Sequence, residues 1–140
     1  MILLENETKH TINIKLLEEI NNYLNVSKDI ELIITHNDKI SKLNKEFRNK
    51  NYPTDVLSFP LEDIPFMPLG TIVISLDKAK EVAQELQHSL DEELTLLYIH
   101  GLLHLLGYDH EIDNGEMREK EKELIKHFNL PKSLIIRGEE

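Results

Sequence analysis

With 140 residues, 40% of them hydrophobic and 30% charged, the chain is sized and composed for one globular domain that buries roughly two-thirds of the surface its unfolded form exposes. The absence of cysteine removes disulfides and thiolate metal sites and agrees with a reducing cytoplasm. A formal net charge of −10 opposes long-range attraction to nucleic acid, so a polyanionic partner would have to be met by a local basic patch.

The first residues, Met1-Ile-Leu-Leu-Glu-Asn-Glu, have no basic region and only a short apolar run, so they are not read as a signal peptide. No apolar stretch approaches the ~18 residues of a membrane span, and a cytoplasmic protein is expected. Residues 1–6 read as a short strand. Ile12, Ile14, Leu16, Leu17, Ile20, Tyr23 and Leu24 recur at helical spacing and predict a helix over 12–25. The β-branched run 30–35 predicts a strand, and Asn37 is the expected cap of a helix over 38–47. Residues 55–59, fenced by Pro53 and Pro60, predict a strand. A loop holding Pro65 and Pro68 then leads to a second strand over 70–74, and this loop connection suits antiparallel pairing. Ser75 is placed to cap a helix over 76–88, and Ser89-x-x-Glu92 spells a capping box for a helix over 90–106. Asp113-x-x-Glu116 opens a last helix to about residue 128, its charges read as a solvated face, and Pro131 stops it. Four strands and five helices in mixed order predict an α+β fold, a small mixed four-stranded sheet covered by helices, as a single catalytic domain over 1–140.

The helix predicted over 90–106 carries the chemistry. Leu94, Leu96, Leu97, Tyr98, Ile99, Leu102, Leu103, Leu105 and Leu106 make it apolar on nearly all sides, so it should be buried. Yet His100 and His104 stand one turn apart on one face. Imidazoles in such a helix are costly unless each nitrogen finds a partner, and a shared metal supplies one. Gly107 can end the helix with a positive φ and return His110 beside the other two. Three neutral imidazoles suit Zn²⁺ or another divalent ion and leave a position open for water or substrate, as catalytic sites do. The spacing matches the zincin signature H-E-x-x-H-x-x-G-x-x-H except at its glutamate, where Gly101 stands. A peptidase would lack its general base, and Gly101 is expected to serve close packing. His10, His36, His88 and His127 are read as isolated surface or packing residues.

A second distinctive stretch runs Leu43-Asn-Lys-Glu-Phe-Arg48, then Tyr52-Pro-Thr-Asp55-Val-Leu-Ser58-Phe-Pro60, and Lys42, Lys45, Arg48 and Lys50 form a local basic run within it. Together with Leu69-Gly-Thr-Ile-Val-Ile-Ser75 and H-x3-H-x5-H, in this order over roughly residues 30–127, the chain resembles the YbeY family of bacterial metal-dependent endoribonucleases. The resemblance implies one zinc ion on His100, His104 and His110, a functional arginine at Arg48, and single-stranded RNA as substrate. It also implies work on ribosomal RNA, notably the small-subunit 3′ end, and in ribosome quality control, with the small subunit and its assembly factors as partners. A guanidinium matches phosphate geometry and can stabilise charge growing on a phosphoryl group, while the metal polarises an oxygen or activates water. Attack by water and attack by the ribose 2′-OH are both compatible; 2′,3′-cyclic phosphate ends would mark the second. Asp109 is read as a turn residue, with orientation of a ligand imidazole as the alternative, and of Asp55 and Ser58 at most one can face the cleft. The rival readings are a zinc-dependent peptidase or amidase and a metal-stabilised ribosome-binding factor with little catalysis.

Overall fold

Alternating side chains along four strands divide the apolar residues between two faces of one sheet. The computed structural model describes residues 1–131 apart from Pro53 and Asp63. Its elements are β1 (Ile2–Asn6), α1 (Lys15–Tyr23), β2 (Ile30–Thr35), α2 (Asn37–Arg48), β3 (Val56–Pro60), β4 (Gly70–Ser75), α3 (Leu76–Leu86), α4 (Leu90–Leu105) and α5 (Glu116–Phe128). The sheet order is β1-β2-β4-β3; β1, β2 and β4 are parallel, and β3 runs antiparallel to β4 as an edge strand. This is the α+β architecture expected from the sequence.

Residues of one parity, Ile30, Leu32, Ile34, Ile72 and Ile74, meet α1, α3, α4 and α5 in the main core. Those of the other parity, Leu57 and Val73, meet Ile40 of α2 in a smaller cluster on the opposite face, with Ile33, Leu43 and Phe59 at its margin. Coverage on both faces explains the near-continuous apolar runs of β2 and β4. Eleven of the sixteen residues of α4 are buried, which makes it the central helix. Between Glu93 and Leu105 only His100 and His104 are not fully buried, so its one open edge is the histidine edge.

Capping follows the sequence at two helices. Ser89 and Glu92 form the reciprocal capping box of α4, and Ser75 Oγ accepts from the Lys78 N–H at 3.3 Å. Three boundaries differ from expectation. The first helix begins at Lys15, because Ile12 and Ile14 reach the core from the non-helical chain before it and Asn13 Oδ1 accepts the Lys15 N–H at 3.0 Å. Asn37 is not a cap: its N–H donates to Asp77 Oδ2 at 2.8 Å, and its Oδ1 accepts from Ser75 Oγ at 2.7 Å. The Asn37 N–H is the leading reason that the Asp77 carboxyl lies below its ordinary range. At α5 the expected pairing is shifted by one residue. Asp113 accepts from Gly115 and Met117 N–H, and Glu116 accepts from Asn114 N–H. The expected stop at Pro131 and the fence at Pro53 concern chain at or beyond the limits of the described residues.

Candidate metal centre

The last turn of α4 ends as its glycine suggests. Gly107 has φ +99°, its N–H donates to the His104 carbonyl at 3.0 Å, and Tyr108 N–H donates to the Leu103 carbonyl at 3.0 Å. This reversal carries the chain back past His104 and sets His110 beside the helical pair. Ring centroids lie 4.8 Å apart for His100–His104, 5.4 Å for His100–His110 and 5.8 Å for His104–His110. One nitrogen from each ring lies within 4.8 Å of its counterparts.

The other nitrogens of the helical pair are taken. His100 Nδ1 is 2.9 Å from Glu121 Oε2, and His104 Nδ1 is 3.0 Å from the Tyr108 carbonyl. A carboxylate and a carbonyl only accept, so each Nδ1 carries the proton and each Nε2 presents its lone pair toward the trio. His104 is pushed below its ordinary pKa, first by burial and then by the charge His100 would carry. The neutral form that a metal needs is therefore favoured at neutral pH. In donor type, and in the tautomers of its helical pair, the trio fits a divalent ion of zinc's character, with His110 exposed on the solvent side.

Gly101 supports the centre from behind. A Cβ there would sit 2.9 Å from Ile72 Cγ2 and 3.0 Å from Ser58 Oγ, so position 101 faces the sheet at close range. Ser58 Oγ donates to the Gly101 carbonyl at 3.2 Å and pins the edge strand to the histidine helix. Ser58 therefore faces α4, while Asp55 serves its turn by accepting the Val56 N–H. Asp109 also serves a turn, accepting the Glu111 N–H at 3.1 Å.

Arg48 forms no hydrogen bond or ion pair with the histidines. It is exposed at the C-terminal end of α2, on the sheet face opposite α4. There Asn49, with φ +56°, ends the helix, and Asn44 Nδ2 holds the Tyr52 carbonyl at 2.9 Å as the chain turns toward the edge strand. Lys42, Lys45 and Lys50 are exposed beside it.

Two readings of the sequence are corrected. The charged last helix is not solvated all round, since Glu121 is only 1% exposed between Met117 and Leu124 on its docking stripe. Its place at i+4 from Met117 and i−3 from Leu124 is a signal that the sequence itself carries. Nor do the remaining histidines stand alone. His10 meets Asp91, His36 meets Asp77, His88 meets the fully buried Glu93 at 2.7 Å, and His127 stacks on Tyr23.

A mixed sheet, a buried helix with a histidine edge and a glycine turn returning a third imidazole define an α+β domain with a zincin-like histidine helix. The chain belongs to the endoribonuclease YbeY family, whose model matches residues 3–129. It is 59% identical to the Endoribonuclease YbeY of Nautilia profundicola over the whole of both chains. It is 60% identical to that of Aliarcobacter butzleri over 99% of each, and 51% identical to that of Helicobacter pylori over all of both. A Thermotoga maritima protein solved in solution matches with a TM-score of 0.61 and 35% identity, covering 90% of this chain and 87% of that one.

Proposed function

We propose that the protein is a zinc-dependent endoribonuclease that cuts single-stranded RNA. In this reading one ion sits on His100, His104 and His110, and Arg48 acts on the substrate phosphate. The observation that carries it is the trio itself, three imidazoles converging with both helical Nδ1 atoms already engaged. When bound, the ion supplies Lewis acidity at the phosphodiester. The chain's own groups do the rest. Glu121 and the Tyr108 carbonyl fix the rings, and the sheet behind Gly101 holds the helix rigid. The basic run Lys42, Lys45, Arg48 and Lys50 offsets the overall charge of −10 locally and draws the RNA backbone across the edge strand. Arg48, at the helix end nearest that crossing, stabilises charge growing on the phosphoryl oxygens.

Family membership supports ribosomal RNA as the substrate, at the small-subunit 3′ end and in ribosome quality control, with the small subunit and its assembly factors as partners. Among the described residues no helix is long and apolar enough to cross a membrane, and we place this work in the cytoplasm, in a single catalytic domain. The peptidase reading meets a physical obstacle. The position that would carry its glutamate has no room for a side chain and faces the sheet.

The test is metal analysis of the purified protein paired with a single-stranded RNA cleavage assay, with and without chelator. His104→Ala protein prepared in parallel controls for contaminating nuclease. One zinc per chain and cleavage lost both on chelation and in His104→Ala are expected. Cleavage by metal-free His104→Ala protein would overturn the reading.

A further inference from the structure

We propose that Glu121 is a positioning residue of the metal centre, a buried carboxylate that fixes the His100 ring and is itself balanced by the ion on the ring's far side. The proposal rests on the metal reading above.

Glu121 occupies the middle of the stripe by which α5 docks. Met117 and Leu124 are fully buried on either side of it, and a leucine or methionine at 121 would complete an apolar ridge. The chain instead buries a carboxylate there. One oxygen, Oε2, lies 2.9 Å from His100 Nδ1, whereas the other, Oε1, is buried with no hydrogen-bond partner among the described residues. A carboxylate with one neutral N–H donor and one idle oxygen is poorly compensated, and burial of that kind persists where an opposite charge stands close by. The imidazole it holds is one of three whose remaining nitrogens converge. A cation on His100 Nε2 would act on the carboxylate through the ring, and the carboxylate would in turn make the imidazole a stronger donor. Asp109, one of the two acids flanking His110, is occupied in its turn, and the acid that meets a ligand ring comes from another helix.

The arrangement also couples α5 to the centre. Chelation leaves Glu121 buried without its counter-charge, so the docking of α5 on α4 is weaker in the metal-free protein than in the loaded one.

Two substitutions separate the roles. Glu121→Leu preserves packing and deletes the acceptor; Glu121→Gln keeps an acceptor of the same shape and deletes the charge. Zinc affinity is read by competition with a chromogenic chelator on the full chain, and thermal midpoints are recorded with and without zinc. We expect affinity to fall about tenfold in Glu121→Gln and toward ~100-fold in Glu121→Leu, the range seen for such outer partners. The metal-free midpoint of Glu121→Leu should stay at or above that of the wild type, and zinc should raise it by less. A purely structural hydrogen bond predicts the reverse, a lower metal-free midpoint with unchanged affinity, and that result overturns the proposal. If Glu121→Leu does not fold, Glu121→Gln decides alone, and wild-type affinity in it is equally fatal. Failure of the wild type to bind zinc would instead defeat the metal reading and this proposal with it; wild-type binding lost in His104→Ala but intact in both Glu121 variants would defeat this proposal only.

Discussion

Gly101→Ala tests whether the histidine helix is seated as closely as its backbone requires. The added methyl would lie 2.9 Å from Ile72 Cγ2 and 3.0 Å from Ser58 Oγ. Ile72 is fully buried beneath α4, so it cannot swing into solvent to make room. Overpacking of this kind costs about 1–3 kcal/mol. If Ser58 rotates away instead, its hydrogen bond to the Gly101 carbonyl is lost at about 1 kcal/mol. Alanine returns about 1 kcal/mol through its higher helix propensity. The balance is a loss of about 1 kcal/mol, and up to about 2 if Ile72 cannot shift, a fall in thermal midpoint of roughly 3–8 °C for a domain of this size. Zinc affinity should fall as well, because a shift of α4 on the sheet moves His100 and His104 away from His110. Thermal or urea unfolding of metal-free protein measures the first effect, and chelator competition the second. Gly101→Glu, which restores the protease spelling, should unfold the chain without creating peptidase activity. An alanine variant as stable as the wild type, with unchanged affinity, would refute the close seating and reopen the position to a catalytic side chain.

At Gly107 the reason for glycine is conformational, since nothing lies within 4 Å of where a Cβ would sit and only φ +99° forbids a side chain. Gly107→Val should therefore cost about 1–2 kcal/mol of strain and weaken zinc binding, while Gly107→Asn should recover part of both; equal zinc affinity in the valine variant would contradict this. Arg48→Ala should keep fold and metal but slow RNA turnover by ~10²-fold, the usual cost of a lost charge stabiliser, and unchanged turnover would return Arg48 to the surface. Tyr98→Phe removes the 2.7 Å bond to Asn21 Oδ1 in a buried setting and should cost about 1–3 kcal/mol in urea unfolding; a neutral change would mean water replaces the hydroxyl. Glu7 is held down to about 2, chiefly by Lys39 Nζ at 2.6 Å, so its contribution to stability is present above pH 4.5 and lost as pH falls toward 2. Glu7→Gln should flatten that part of the acid limb, and an unaltered acid limb would show that the pair is screened away.

The sheet and the histidine helix were legible because their signals are local. Residues 30–35 and 70–75 are rich in β-branched and apolar residues, α4 is apolar on nearly all sides past its first turn, and its capping box sits within four residues of chain. The imidazole trio was legible for the same reason, spanning eleven residues with the glycine bend inside them. What stayed hidden depends on pairs far apart in the chain. Asp77 serves the start of α2 from forty residues away, His100 and Glu121 meet across twenty-one, and Tyr98 and Asn21 across seventy-seven. A glutamate in a helix rich in Glu and Lys reads as solvated whichever way it points, and only the Met117–Leu124 ridge distinguishes position 121. Arg48 is hidden differently. Its motif is recognisable, but α2 packs on the sheet face away from α4, so on the proposed reading a substrate has to cross the β3 edge to meet both Arg48 and the trio.

That separation bears on how the site works. Two of the three candidate ligands, His100 and His104, sit on the most buried helix of the domain, which packs against Ile72 and Ser58 at Gly101 and against Glu121 at its side. The third, His110, sits on an exposed turn. The cationic run belongs to another face, and a small ligand at the histidines need not reach it. A polymer that follows the surface from the α2 terminus over the β3 edge engages both. On the reading proposed above, only an extended polyanion gains the electrostatic attraction and the metal contact together, so a single RNA strand should be cut in preference to a compact phosphate ester.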